Sequence, residues 1–403
     1  GPRAMPKKIP VTILTGFLGA GKTTLLNHLL TSDEHKMKFA VIENEFGEVG
    51  VDEKVLSVDK TDEQIIEVMN GCICCTVRGD LSKVLKKIHK KIEKFDGVII
   101  ETTGLADPAP VAQTFFVDDT VEKLYKLDGI ITVVDAKHIL PHLNEKKPDG
   151  VENEAVEQLA FADRVLLNKV DLVKDEKELE KVEKSIKAIN ATAPIFKCTN
   201  SVVHPKHLIN IGSFDLSRTL EKDPEFLDTE AEHEHDTSVS SVSCKFEGEL
   251  NHNKLQMWIG KLIQTKANDL YRYKGVLAVK GIVKKFVFQG VHMLFSGGFD
   301  TYKQRWKEGE KRECRFVFIG KNLDKKALRD GFMDCKAKDE LRFKVGDLVE
   351  ARCDKWLPGK IAALWDGGNP YRIKLEGDHG ECWGPIDDEN FVRARTVTGK
   401  KRK

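Results

Sequence analysis

Residues 11–30 read VTILTGFLGAGKTTLLNHLL, and no other stretch restricts the fold so tightly. An apolar run, Val11 to Thr15, ends in Gly16-Phe17-Leu18-Gly19-Ala20-Gly21-Lys22-Thr23, which fits the pattern G-x-x-x-x-G-K-[ST], and a helix-forming run, Thr23 to Leu30, follows at once. A strand that turns through glycines into a helix aims backbone N–H groups at one point, where the helix dipole also favours an anion. The chemistry implied is phosphate binding. Gly16, Gly19, Ala20 and Gly21 supply the cradle, Lys22 reaches the β- and γ-phosphates, the Thr23 hydroxyl holds Mg²⁺, and Thr24 stands beside it in the first helical turn.

The rest of the first half fits a parallel α/β sheet wrapped by helices. Apolar runs at Phe39 to Glu43, Ile65 to Met69, Gly97 to Glu101, Gly129 to Val134, Arg164 to Asn168 and Pro194 to Lys197 predict strands, and Leu81, Val84, Leu85, Ile88 and Ile92 mark one face of a helix. Their alternation predicts a P-loop NTPase domain over residues 9–220. Glu101 closes its strand and Gly104 lies three positions on. A carboxylate there can hold the Mg²⁺ shell, and the Gly104 backbone can approach the γ-phosphate. Asn168-Lys169-Val170-Asp171 follows the strand RVLL. The Asp171 carboxylate can accept from guanine N1–H and from its exocyclic amine, a pair of donors that adenine lacks, so the nucleotide expected is GTP. Lys22, Thr23 and Glu101 then carry hydrolysis, while Asn168, Lys169 and Asp171 take the base.

The cysteines are spread too unevenly for a disulfide framework: of nine, Cys72, Cys74 and Cys75 lie together and six stand singly. The six, Cys198, Cys244, Cys314, Cys335, Cys353 and Cys382, are expected to be reduced packing residues. The cluster follows the Ile65 to Met69 run and precedes a helix expected to start near Asp80. On an extended chain Cys72 and Cys74 share a face and Cys75 takes the other. A nearby helix N-terminus and Arg78 favour thiolates, the form that binds metal. Three thiolates leave a tetrahedral zinc site one ligand short, to be completed by a carboxylate, a histidine or water, and such an incomplete set suits a metal that leaves. Glu45 and Glu48, in the turn after Phe39 to Glu43, are candidates both for accessory metal ligands and for orienting the hydrolytic water, in a position where P-loop GTPases keep a nucleotide-sensing switch. The opposing readings are inert or redox thiols and a solvated acidic turn.

A formal charge of +1 argues against a general nucleic-acid binder. No apolar run approaches the roughly 18 residues of a membrane span and no charged-then-apolar leader opens the chain, so a cytoplasmic protein is expected. Residues 221–239 form an acidic linker, with eight acids and one base between Glu221 and Asp236; its His233-Glu234-His235 either assists metal loading or is merely solvated. Residues 240–335 predict a second, α+β domain with a helix at Leu255 to Thr265 and strands at Gly275 to Val283, Phe286 to Phe288, Val291 to Phe295 and Cys314 to Ile319. His292, inside one of them, is expected to pack. Residues 343–395, with short β segments and many turn residues, predict a small β-barrel. The tail 396–403 is basic and reads as a nuclear address or a solvated end.

GFLGAGKTT, ENEFGEVGVD, NGCICCTVRGDL, IIETTGLADP and LLNKVDL, in that order, resemble the CobW-type GTPases, whose wider class includes the UreG and HypB nickel-insertion GTPases. YRYKGVLAVKG, FQGVHMLF, Trp306 and RFVFIGKNLDKKALRDGF look like that family's C-terminal domain, so the resemblance spans about residues 9–335. It implies a GTP-hydrolysing metallochaperone that binds zinc at Cys72, Cys74 and Cys75 and passes it to a client metalloprotein. In the zinc-chaperone branch that client is methionine aminopeptidase. That branch carries a Cys-Pro-containing docking segment before the P-loop strand, whereas Met5-Pro6-Lys7-Lys8 leads straight into the strand here. A cobalt-handling GTPase for corrin assembly and a GTP-regulated adaptor acting through its third domain are the alternatives. ARCDKWLPGKIAALW, YRIKLEGD and CWGPIDDENFVRA resemble Tudor- or agenet-like barrels. Trp356, Trp365, Tyr371 and Trp383, with Asp387 or Asp388, either form a cage for a methylated Lys or Arg or fill a small core.

Overall fold

The computed structural model describes residues 8–43, 73–89, 95–145, 147–148, 153–213, 239–292, 294–299 and 305–395. Its first sheet has six parallel strands: β1 (Ile9–Thr15), β2 (Phe39–Glu43), β3 (Gly97–Glu101), β4 (Tyr125–Asp135), β5 (Arg164–Asn168) and β6 (Ile195–Lys197), in the order β2-β3-β1-β4-β5-β6. Neighbouring side chains of a strand go to opposite cores. Val11, Ile13, Val98, Ile100 and Ile130 pack on one face, while Leu14, Ile99, Ile131 and Val133 pack on the other. A sheet covered by helices on both faces needs apolar residues at every position, which is why these strands read as unbroken apolar runs. Strand β4 begins four residues before the predicted Gly129, since Tyr125 is buried and donates its hydroxyl proton to Leu85 O at 2.7 Å. The predicted strand Ile65 to Met69, the acidic segment 221–238 and the tail 396–403 lie outside the described residues.

The second sheet is antiparallel, β10-β9-β8-β11-β7, built from β7 (Val239–Glu247), β8 (Leu270–Ala278), β9 (Lys285–Val291), β10 (Leu294–Gly298) and β11 (Glu313–Lys321). Leu255, Leu328 and Phe332, from the helices His252–Lys266 and Lys325–Met333, cover one face. Tyr271, Val276, Val287, Val291, Val317 and Ile319 on the other face join the core of the parallel sheet, so the two units share one apolar interior. Strand β8 lies ahead of the predicted Gly275 to Val283. Arg272 and Lys274 break the apolar pattern there, yet both are buried against Asp163, at the foot of β5. The sequence reading named no strand at β7, where serines alternate with apolar residues. His292 sits in the β9–β10 turn at φ 52°, not inside a strand, with its ring between Phe161 and Tyr271.

A third, antiparallel sheet, β15-β14-β13-β12-β16, comprises β12 (Leu348–Arg352), β13 (Trp356–Asp366), β14 (Asn369–Leu375), β15 (Glu381–Gly384) and β16 (Val392–Ala394). It is held to the second unit by Asn251 and Asn253, whose side-chain amides donate to Pro385 O, each at 3.1 Å. The aromatic cage is not assembled. Tyr371 is fully buried and donates to Asp387 Oδ1 at 2.6 Å, and Asp387 also accepts from Arg342 Nε at 2.7 Å. Trp356 lies under the Arg393 guanidinium, and Trp365 sits in the β13–β14 hairpin with its carbonyl against Gly281 of the second unit. Core filling, which a barrel this small needs, claims Tyr371, and an internal ion pair claims Asp387.

Candidate nucleotide site

The strand order changes direction at β1, between β3 and β4, and ligands of such sheets bind in the crevice at the carboxyl ends there. The glycine-rich turn lies in that crevice and enters helix α1 (Lys22–Thr31). Gly21 has φ 110°, and a Cβ on it would fall 2.5 Å from Asn168 Nδ2 and 2.8 Å from Ser201 Oγ. Only glycine lets the loop close onto the ends of β5 and β6. A Cβ on Gly104 would fall 2.6 Å from Leu18 N, so the loop after β3 lies against the tip of the P-loop.

Lys22 is buried, and its Nζ donates to Gly16 O at 2.9 Å and Phe17 O at 3.4 Å. The cation is thus held inside the loop it serves. Burial lowers its pKa and the nearby Glu101 charge works against that lowering. Thr23 Oγ1 donates to Glu101 Oε1 at 3.1 Å, which brings together the two predicted Mg²⁺ residues from elements 78 positions apart. A hydroxyl and a carboxylate are the hard oxygen donors that Mg²⁺ takes alongside phosphate and water. Thr102, next in the chain, donates its hydroxyl to Thr15 Oγ1 at 3.0 Å and its N–H to Leu14 O at 2.9 Å, fixing the end of β3 to β1.

The base side is tied to the same loop. Asn168 Nδ2 donates to Ala20 O and Ser201 Oγ, both at 2.9 Å, while its Oδ1 accepts from Ser201 N at 2.9 Å. Its amide therefore fastens the P-loop to the loop after β6, which fixes the position of the side chain expected to meet the base. Lys169, in left-handed backbone at φ 60°, donates to Gly19 O and to Asp135 Oδ2, each at 2.7 Å. Burial would raise the Asp135 pKa, but bonds from Lys169 and His138 outweigh it and hold the carboxylate ionised. Asp171 lies in the single turn Val170–Leu172 and is exposed, with its carboxylate open to a base. Replacement by Asn exchanges one of two acceptors for a donor. Asp171→Asn is therefore expected to weaken GDP binding by about 10²-fold and to favour xanthine nucleotides, whose C2 carbonyl accepts where guanine donates. Equilibrium titration with GDP and XDP checks this.

Sequence reasoning missed Ser201 and Asp135. Ser201 is fully buried at φ 57°, follows Asn200 at φ 52°, and donates through Oγ to Gly21 O at 3.0 Å. The available signal was Thr199-Asn200-Ser201, a turn-forming triplet just past a core strand. Beside the P-loop lies a cavity of about 320 Å³ lined by Phe17, Leu18, Asp135, His138, His142 and Lys169, with the His142 ring 3.9 Å from that of Phe17. The helix α2 (Ile73–His89) starts seven positions before the expected Asp80, so the backbone at Cys74 and Cys75 is helical and the extended-chain reading of their faces does not hold. Their side chains, with Cys72, Glu45 and Glu48 entire, lie outside the described residues. Among the described residues, no group of three or more His, Cys, Asp or Glu is placed to hold a metal ion, and no helix is long and apolar enough to cross a membrane.

Two family models match the chain: the CobW/HypB/UreG nucleotide-binding domain over residues 10–197 and the cobalamin synthesis protein cobW C-terminal domain over residues 239–336. The chain is 37% identical to the zinc chaperone YjiA of Escherichia coli over 328 residues, which covers 80% of this chain and 98% of that protein. It is 30% identical to the zinc-regulated GTPase metalloprotein activator 1 of Saccharomyces cerevisiae over 366 residues, covering 80% of this chain and 82% of that protein. The crystal structure of Zn(II)-bound YjiA GTPase superposes with a TM-score of 0.63 at 32% identity, covering 82% of this chain and 100% of that one. A Zn(II)-bound triple mutant of YjiA, with alanine in place of one glutamate and two adjacent cysteines, gives 0.65 with the same coverage. Family models over most of its length and a relative 37% identical over 98% of that protein place this chain in the CobW family of P-loop GTPases.

Proposed function

We propose that the protein binds zinc at the segment carrying Cys72, Cys74 and Cys75 and releases it to a client metalloprotein under the control of GTP binding and hydrolysis. The observation that carries the coupling is a register: Glu43, the last residue of β2, pairs with Glu101, the last residue of β3. The chain bearing Glu45 and Glu48 therefore leaves the sheet directly beside the carboxylate that bonds Thr23. A change of phosphate or Mg²⁺ at Thr23 and Glu101 is felt at the start of that segment. At the site itself, Lys22 neutralises phosphate charge, the Thr23 hydroxyl and Glu101 hold Mg²⁺, and Lys169 shields the outer side of the P-loop. Zinc rather than cobalt is supported by the names of the relatives. The adjacent cysteines replaced in the YjiA mutant have one counterpart pattern in this chain, Cys74-Cys75.

Linkage supplies the test. If GTP changes zinc affinity by a factor, zinc changes GTP affinity by the same factor, about 5- to 150-fold for a typical coupling of 1–3 kcal/mol. Zinc affinity is to be measured with GDP and with a slowly hydrolysed GTP analogue, in the wild type and in Cys74→Ser/Cys75→Ser. The proposal expects unequal affinities in the wild type and loss of that difference in the variant, even where some zinc still binds. Equal affinities in the wild type overturn it.

A further inference from the structure

The third sheet curls upon itself. Strands β12 and β15 do not pair, since β13 and β14 lie between them, yet they touch, bringing the β12–β13 turn onto the β15 edge. Cys353 opens that turn: it follows Arg352, which pairs with Trp356, and its N–H donates to Lys355 O at 3.0 Å. Cys382 lies in β15 opposite Ile373 and packs against the core of Val349, Ala351 and Tyr371. The contact between the two strands brings the two free thiols near enough for each to feel the other's charge. Cys353 is exposed, contrary to the expected packing role, and Cys382 is half-buried. Cys198, Cys244, Cys314 and Cys335 are buried as expected, and burial pushes their thiols up to between about 11 and about 12.

We infer that Cys353 and Cys382 are a reversible dithiol–disulfide pair whose co-reactant is a low-molecular-weight disulfide. Cys353, open to solvent, loses its proton and attacks one sulfur of the small disulfide. That S–S bond breaks, and the departing thiolate takes up a proton. Cys382 is half-buried and less open to attack than exposed Cys353, and burial followed by the neighbouring thiol pushes it up to about 12, so it acts second, as the resolving group. It gives up its proton, attacks the Cys353 sulfur of the mixed disulfide and releases the second small thiol. Two protein thiols are oxidised by two electrons and one small disulfide is reduced to two thiols. The product fastens the β15 edge to the β12–β13 turn, next to Trp383, which is 48% exposed and so reports the change by fluorescence.

The full-length chain, reduced and then exposed to oxidised glutathione, is to be alkylated and digested with trypsin. Cys353 falls on the peptide 353–355, Cys382 on 375–393 and the clustered cysteines on 61–78, so each outcome is separable by mass. The expected product is 353–355 linked to 375–393, reversed by dithiothreitol. Cys382→Ser is expected to accumulate glutathionylated Cys353 at more than about tenfold the wild-type level, because the intramolecular thiol acts at a high effective concentration. Cys353→Ser is expected to leave Cys382 unmodified. A wild-type chain that stops at glutathionylated Cys353 with Cys382 still alkylated, or in which neither thiol reacts, overturns the inference. The wild-type digest decides this even if a variant fails to fold.

Discussion

Lys22→Ala is expected to lower kcat for GTP hydrolysis by about 10²-fold or more while the chain stays folded. The ammonium is buried in the loop, 2.9 Å from Gly16 O, where burial lowers its pKa and the Glu101 charge opposes that lowering. Charge that builds on the phosphoryl oxygens during transfer is stabilised by such a preplaced cation, and removal of one oriented donor typically costs about 10²- to 10³-fold. The fold has less at stake, because the lost bonds run to loop carbonyls and burial already disfavours the charge. Arginine is not expected to rescue, since a planar guanidinium does not fit where a compact ammonium sits among carbonyls. Single-turnover hydrolysis with circular dichroism of the same samples checks both halves. An unaltered kcat at saturating GTP would remove Lys22 from the mechanism.

Asp163→Asn is expected to cost about 3–5 kcal/mol of stability, the usual cost of removing one partner from a buried ionic group. Asp163 Oδ1 accepts from Lys274 Nζ at 2.9 Å and from Arg272, and Oδ2 accepts from Ile130 N at 2.9 Å. Burial alone would raise the carboxyl pKa, but the two cations hold it ionised. Lys274, pushed down to about 8 by burial and by the neighbouring guanidinium, can shed its proton when the carboxylate is gone, but Arg272 cannot. Pairing Asp163→Leu with Lys274→Met is expected to recover part of the loss, since a matched apolar pair leaves fewer charges stranded. Urea unfolding of the single and double variants is the measurement. A single-variant change under about 1 kcal/mol would mean that the cluster is wetter than its burial indicates.

What was legible in the sequence follows from how each element is solvated. Strands β2, β3 and β5 were read to the residue because helices cover both their faces and leave no polar position to blur the run. The P-loop and the Thr23–Glu101 pair were legible because phosphate and Mg²⁺ chemistry demands particular side chains at fixed spacing. Strand β8 was displaced because Arg272 and Lys274 read as surface charges, and only Asp163, more than 100 positions away, makes them interior. The spacing of Asn168 pointed to the base but not to Ala20 and Ser201, because those partners lie 148 and 33 positions away and only the fold brings them to its amide. For Tyr371 and Asp387 the sequence left cage and core filling open, because a Tyr and an acid in a small barrel suit both purposes and one-dimensional spacing does not tell inside from outside; burial decides for the core.

The common interior of the first two sheets has a practical consequence. The boundary that the two family models draw between residues 197 and 239 divides the polypeptide but not its oil-like centre. A protease cut between 213 and 239 should leave the fragments clasped together and eluting as one particle, because Tyr271, Val287 and Ile319 would otherwise face water. The nucleotide-binding half expressed alone would carry the complementary bare patch. It should be sticky and poorly soluble even though its own sheet, its P-loop and its NKxD turn are complete.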